Sequence, residues 1–264
     1  TDNPRYGKIA ERFGMIAHEQ GICGCHVHVA VPDRDAAIQV SNRLRPWLPL
    51  LLAVTANSAV YRNADTGYAS WRSILWQRWP SAGPPPHFES ADEYDAVVRM
   101  LLISGAMLDE GMVYWDVRPS ANFPTIEVRV ADVPATVAES VLLAALIRGC
   151  VMSALESEQR GDPLAPLSPS ALRAAYWKSA REGLDGDAVD LTESHASAPA
   201  VDLLDSLVDH IRPALEEVGD YDMVRTELAR IAEHGNGAMR QRRAWQRSHD
   251  IGDVLAEAAA ATLE

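Results

Sequence analysis

The chain has 264 residues, 47% of them apolar, with 24 basic against 37 acidic residues and a formal net charge of −13. That length suits one large domain or two small ones, and the apolar share is ordinary for a soluble globular protein. The charge argues against nucleic-acid or anionic-membrane partners, whose phosphates need a positive field, but leaves room for a small anion in a local basic pocket.

Pro4 in a first turn behind Asn3 predicts a helix over 4–20, ended by Gly21. A strand is expected over 22–31, closed by Pro32-Asp33-Arg34-Asp35. Asp33 or Asp35 then caps a helix over 35–56, whose leucine-rich centre predicts deep burial. Residues 57–90 are rich in turn signals and read as one long connection, of a kind that often carries function. Ser90-Ala91-Asp92-Glu93 is a capping box opening a helix to about residue 109. Strands over 113–118 and 125–130 read as a hairpin with a wide turn. From 134 onward helices are expected over 134–158, 168–182, 198–218, 220–233, 237–248 and 250–262. No apolar run of transmembrane length and no signal peptide is read. Cys23, Cys25 and Cys150 lack framework spacing, which points to reduced thiols and a cytoplasmic setting.

Side chains alternate faces along a strand. In the first strand Gly24, His26, His28 and Ala30 share one face, while Cys23, Cys25, Val27 and Val29 share the other. That separation weighs against a Cys₂His₂ zinc site, whose four ligands must converge. In the second, Tyr114, Asp116 and Arg118 share a face. In the third, Thr125, Glu127 and Arg129 lie opposite the apolar Ile126, Val128 and Val130. For one strand alone, a solvated polar row is the better reading. Across three strands, paired histidines and two arginines favour a site that handles an anion and a metal together.

Four segments, taken together, resemble the glutamate–cysteine ligase type 2 family in its carboxylate–amine ligase branch. They are Gly24-Cys25-His26-Val27-His28-Val29, Asp65-Thr66-Gly67-Tyr68-Ala69-Ser70-Trp71-Arg72-Ser73, Trp115-Asp116-Val117-Arg118-Pro119-Ser120 and Thr125-Ile126-Glu127-Val128-Arg129-Val130. Trp177–Gly186 and Gly235–Ala238 extend the resemblance, which thins over 187–220. It implies an α+β fold like the catalytic domain of glutamine synthetase: a curved antiparallel β-sheet forming a funnel, packed by helices. One ligase domain would span 1–264, with 1–133 bearing the sheet and active site and 134–264 mainly helical.

The resemblance also implies ATP-dependent joining of glutamate to cysteine or another amine through γ-glutamyl phosphate, with Mg²⁺, or Mn²⁺ in its place. By that analogy His26 and Glu127 are metal ligands. Arg118, Arg129 and His28 are the catalytic groups that meet phosphate or carboxylate oxygens. Asp65, Thr66, Arg72, Asp116 and Arg181 border substrate or nucleotide. For Arg181 a helix-surface salt bridge reads equally well. Arg240, Arg242, Arg243 and Arg247 read first as a solvated helix face and second as a nucleotide contact. Asn63 stands where the family more often has glycine, and asparagine tolerates the left-handed conformation.

The family's acidic N-terminal strands do not precede the first helix of this sequence. The expected sheet therefore has an open edge that invites pairing, with that segment supplied as a separate chain, removed or disordered. A homo-oligomer is expected, with no nucleic-acid or membrane partner. Two rival readings are a non-catalytic nucleotide- or metabolite-binding subunit and a guanidino-kinase-like phosphotransferase.

Overall fold

Asn3 caps the first helix as its position predicts, its side chain accepting the Arg5 N–H at 2.9 Å ahead of α1 (Pro4–Phe13). The computed structural model describes residues 3–192 and 195–263. Gly14, at φ 53°, breaks the predicted 4–20 helix, so α2 (Met15–His18) is a separate turn. β1 (Val27–Ala30) is shorter than the predicted 22–31 strand, with an isolated bridge from Gly24 to Asp132. The predicted 35–56 helix is also two: α3 (Arg34–Leu44) and α4 (Leu48–Thr55). Pro46 has no amide hydrogen to continue the α3 ladder, and α4 begins afresh with Pro49 in its first turn. Every residue of α4 is buried.

The connection 57–90 is more ordered than its turn signals predict. β2 (Val60–Tyr61) and β3 (Ala64–Asp65) pair across Arg62-Asn63, both at positive φ, the two-residue turn that matches strand twist. α5 (Trp71–Trp76), capped by Ser70, and β4 (Ala82–Gly83) follow. Ser90 caps α6 (Ala91–Ile103), which stops short of the predicted residue 109. The predicted strand 113–118 splits at Asp116 into β5 (Tyr114–Trp115), parallel to β4, and β6 (Val117–Pro119), antiparallel to β7 (Thr125–Val128).

The remaining helices fall close to their predicted places: α7 (Val137–Arg160), α8 (Pro169–Glu182), α9 (Ala200–Glu217), α10 (Tyr221–His234), α11 (Gly237–Ser248) and α12 (Ile251–Ala261). The hairpin of β8 (Asp187–Val189) and β9 (Ser197–Pro199) was not expected. Helix accounts for 57% of the chain and strand for 11%. Among the described residues the strands form one three-stranded antiparallel sheet, ordered β1-β7-β6, and three two-stranded pairings. Against the sequence reading, α7 is long and apolar enough to cross a membrane by length and composition, with a mean hydropathy of 1.7. Its Leu143, Leu146, Ile147 and Val151 instead fill the main core, which draws on residues from Val31 to Ile231.

Two buried carboxylates shape the end of the sheet. Val27 pairs with Val128, yet Gly24 bridges Asp132, so three steps on one strand face four on the other. This is a one-residue bulge, and it bends the chain after β7. Asp132, buried there, accepts the Asn57 N–H at 2.9 Å, the Ser58 hydroxyl at 2.8 Å and the Ser70 hydroxyl at 2.8 Å. It thereby ties the 57–72 connection to the sheet. Gly24 is required by close approach: a Cβ there would lie 2.3 Å from Arg72 Nη2. Asp116, at the strand break, is not on the open face that parity assigned it. It is buried, with its backbone N–H given to the Gly83 carbonyl and its carbonyl accepting the Arg129 N–H. Burial pushes its carboxyl up to about 6, against the lowering effects of Arg72, Tyr176 and Arg129.

Asp132→Ala should cost about 2–4 kcal/mol in urea denaturation, because one buried and two half-buried donors lose their acceptor at once. Asp116 gives a pH signature. Its folded pKa lies above its ordinary value of 3.8, so the native state holds the proton more tightly. Its ionisation therefore removes stability as pH rises from about 4 to 6. The stability of Asp116→Asn relative to wild type should increase by about 2 kcal/mol between pH 4 and 7. A pH-independent difference in urea denaturation would contradict the ionisation of Asp116.

Candidate functional site

The register of the three-stranded sheet sets His28 on β1, Glu127 on β7 and Arg118 on β6 in one row. Glu127 is 5% exposed, and four side chains surround its carboxylate. Arg118 Nε donates to Oε2 at 2.7 Å, and Arg129 Nη1 donates to Oε1. His26 Nδ1 lies 3.2 Å from Oε1, and His28 Nε2 lies 3.9 Å from it. His28 Nδ1 is 2.9 Å from the Thr125 hydroxyl, which fixes that ring from its other side. Both imidazoles are partly exposed, whereas the carboxylate lies behind them.

Burial alone would raise the Glu127 pKa. The hydrogen bonds from His26 and Arg118, with the charges of Arg129 and Arg118, outweigh it and hold the carboxyl well below the usual carboxylate range. Burial and the neighbouring Arg118 push the Arg129 guanidinium down. Arg129 also keeps a buried Nε without a partner.

A cleft of about 600 Å³ opens over this wall, lined by His28, Arg118 and Glu127 together with Arg34, Arg99 and Glu110. Its size is that of a small-molecule site. Arg34 and Arg99 were not singled out from sequence; Arg34, just beyond β1 and held to Asp95 at 2.6 Å, carries no local signal of this role. Among the described residues no group of three or more His, Cys, Asp or Glu comes together to cage a metal ion. A nucleotide-bound Mg²⁺ needs only one or two carboxylates, with phosphate and water filling the remaining positions. Glu127 is ionised and can supply one, and His26 stands beside it. Both Glu127 oxygens already accept from Arg118 and Arg129, and His26 Nδ1 lies 3.2 Å from Arg129 Nη1, so the pair is no preformed cage and would hold a cation only beside a ligand's phosphate charge.

The other sequence-predicted residues gather elsewhere. Asp65 accepts the Gly67 N–H at 2.9 Å and faces Arg242 at 3.6 Å, while the Thr66 hydroxyl donates to the Ala59 carbonyl at 2.8 Å. Both shape their own loop. Arg72 is buried and donates to the carbonyls of Arg129 and Val130, with a smaller cavity beside it shared with Cys23 and Trp71. Arg181 is exposed and sits over the Tyr68 ring at 5.3 Å. Asp116 lies buried near Arg72 and Arg129.

Of the four arginines expected on a solvated face, Arg243 and Arg247 are exposed, whereas Arg240 and Arg242 are drawn into ion pairs. Arg240 donates to Glu139 at 2.7 Å, Arg242 pairs with Asp65, and Arg247 reaches Glu257 at 3.1 Å. The cysteines stand apart from the histidines: Cys25 packs on the main core, and burial pushes the Cys150 thiol up to about 12. Sequence reasoning missed Asp132 and Tyr176, whose roles depend on partners distant along the chain.

The glutamate–cysteine ligase family 2 model matches residues 1–259. Over all 264 residues the chain is 74% identical to "Putative glutamate–cysteine ligase 2-2" of Mycolicibacterium vanbaalenii, covering 72% of that protein. It is 67% identical over 263 residues to "Putative glutamate–cysteine ligase 2-3" of Mycolicibacterium smegmatis, again covering 72% of it. Against "Putative glutamate–cysteine ligase 2-1" of Nocardia farcinica the identity is 62% over the whole chain and 69% of the relative. With its family match nearly end to end and relatives 62% to 74% identical along its length, the chain belongs to glutamate–cysteine ligase family 2.

Proposed function

We propose that this chain catalyses the ATP-dependent joining of the glutamate side-chain carboxylate to an amine, with cysteine as the first candidate. The observation that carries this reading is the Glu127 carboxylate, held between Arg118 and Arg129 and lining a 600 Å³ cleft together with Arg118 and the His28 imidazole, with His26 beside it. A carboxylate is a poor electrophile and needs a leaving group. In the proposed sequence a glutamate side-chain oxygen attacks the γ-phosphorus of ATP, and ADP leaves. The amine nitrogen then attacks the acyl carbon of γ-glutamyl phosphate, phosphate leaves, and the nitrogen gives up a proton.

Negative charge grows on the phosphoryl oxygens during transfer, and fixed cations that need no reorganisation stabilise it. Arg118 spends Nε on Glu127 and Nη1 on the Val113 carbonyl, which leaves Nη2 for an incoming oxygen. His28, on the same row, can donate to a second oxygen, and Arg129 supplies positive charge from behind. A bound Mg²⁺, held by Glu127 and His26, would neutralise phosphate charge. The three-stranded sheet would be one wall of a glutamine synthetase-like funnel, in a cytoplasmic enzyme whose thiols stay reduced.

ADP release should require glutamate and an amine together. With hydroxylamine in place of the amine, γ-glutamyl hydroxamate should accumulate in step with ADP. ADP formation that ignores glutamate, or that a guanidino compound supports alone, would overturn the ligase reading. Glu127→Gln should lower ADP release by roughly 100-fold or more, since both arginines and the metal lose their shared carboxylate. Its stability in urea should fall by about 1–3 kcal/mol, because two adjacent guanidiniums lose their common counter-charge. Turnover at the wild-type rate would remove Glu127 from the site.

A further inference from the structure

A second cavity, of about 480 Å³, lies at the corner between α3 and α4, closed by α7, α9 and residues 164–167. It shares no lining residue with the cleft over the wall. Arg45, at the break between the two helices, lines it and is only 4% exposed. Its Nε is buried without a hydrogen-bond partner, and no carboxylate among the described residues pairs with it. Arginine stays charged even when buried, so this is a desolvated cation with no counter-ion among the described residues.

The other two buried arginines differ. Arg72 donates to two carbonyls, and Arg129 is paired with Glu127. Arg43, two residues before Arg45, is already committed to Glu158 and to the Asp162 carbonyl. The cavity therefore offers one unopposed positive charge.

The rest of its lining mixes apolar side chains with neutral polar ones, Asn42, Ser157, Thr192 and Ser206 among them. Trp47 and His210 stack at 5.0 Å and 27°, forming a flat wall, and Leu164, Leu167 and Ala154 add aliphatic surface. We propose that this cavity is a binding site for a small organic monocarboxylate, its carboxylate on Arg45 and its apolar body against Trp47, Leu164 and Leu167. One guanidinium balances one carboxylate and suits its two oxygens. A phosphate monoester carries close to two charges at neutral pH, and with Arg43 already committed about half of that charge would stay unbalanced. The volume lies within the range of small-molecule pockets.

Thermal unfolding tests the site, using sodium benzoate and sodium hexanoate as probes with hexanol and inorganic phosphate as controls. Both carboxylates should raise the Tm by several degrees at saturation, and neither control should match them. Arg45→Met removes an uncompensated buried charge, so the variant without probe should melt above wild type and lose the carboxylate response. Ala165→Trp, on an exposed rim position, should fill the cavity, melt as wild type does and also lose the response. That second variant keeps the test decisive if Arg45→Met fails to fold. The proposal is overturned by absence of a carboxylate response in wild type, by a response retained in either variant, or by a larger response to phosphate.

Discussion

One carboxylate organises the wall. Glu127 takes a guanidinium on each oxygen, from the neighbouring strand and from two residues along its own, and an imidazole stands in front. Two arginines at this separation repel, and Arg118 does push the Arg129 pKa down. The shared anion is what lets both stay, and their joint field keeps it ionised. Two guanidiniums against one carboxylate leave a net positive charge at the base of the cleft. A chain whose total is −13 can therefore still attract an anion, because a local field is set by nearby groups and not by the sum.

The bulge between Gly24 and Asp132 has consequences beyond the sheet. It brings the Asp132 carboxylate beneath the 57–72 connection, where two hydroxyls and one amide converge on it. Arg72 then lies across Gly24 with its donors on the Arg129 and Val130 carbonyls. A residue expected to meet a substrate anion is thus holding the strand that carries Arg129. Its effect on the wall is positional: if Arg72 moved, the backbone carbonyl of Arg129 would lose its donor.

The wall was legible because it depends on a period-two pattern that a strand imposes locally. His26 and His28 on one strand, Glu127 and Arg129 on another, and Arg118 on a third could be assigned a common face from alternation alone. Asp116 escaped the same argument because the chain bends there, and one bend cancels parity. The breaks at Gly14 and at Arg45-Pro46-Trp47 left the apolar rhythm of their helices intact, so the pattern ran straight through them. Arg240 and Arg242 looked solvated because their acidic partners, Glu139 and Asp65, lie far away in sequence. Periodicity reports which face a residue takes, and it is silent on what the other face meets.

The three buried arginines show how one side chain acquires different meanings. Arg129 is paired with Glu127, Arg72 gives its protons to two carbonyls and lies 3.6 Å from the Asp132 carboxylate, and Arg45 has no such partner among the described residues. The difference traces to α4. Because every residue from Leu48 to Thr55 is buried, the corner that leads into it is drawn inside with it. Pro46 ends the helical ladder at that corner, and Arg45 just before it cannot follow a helix surface out to water. A methionine of similar length would fill the space without a charge to desolvate. A cation kept at such a corner, beside a cavity with a flat aromatic wall, is costly to an empty protein and favourable to one with an anion bound.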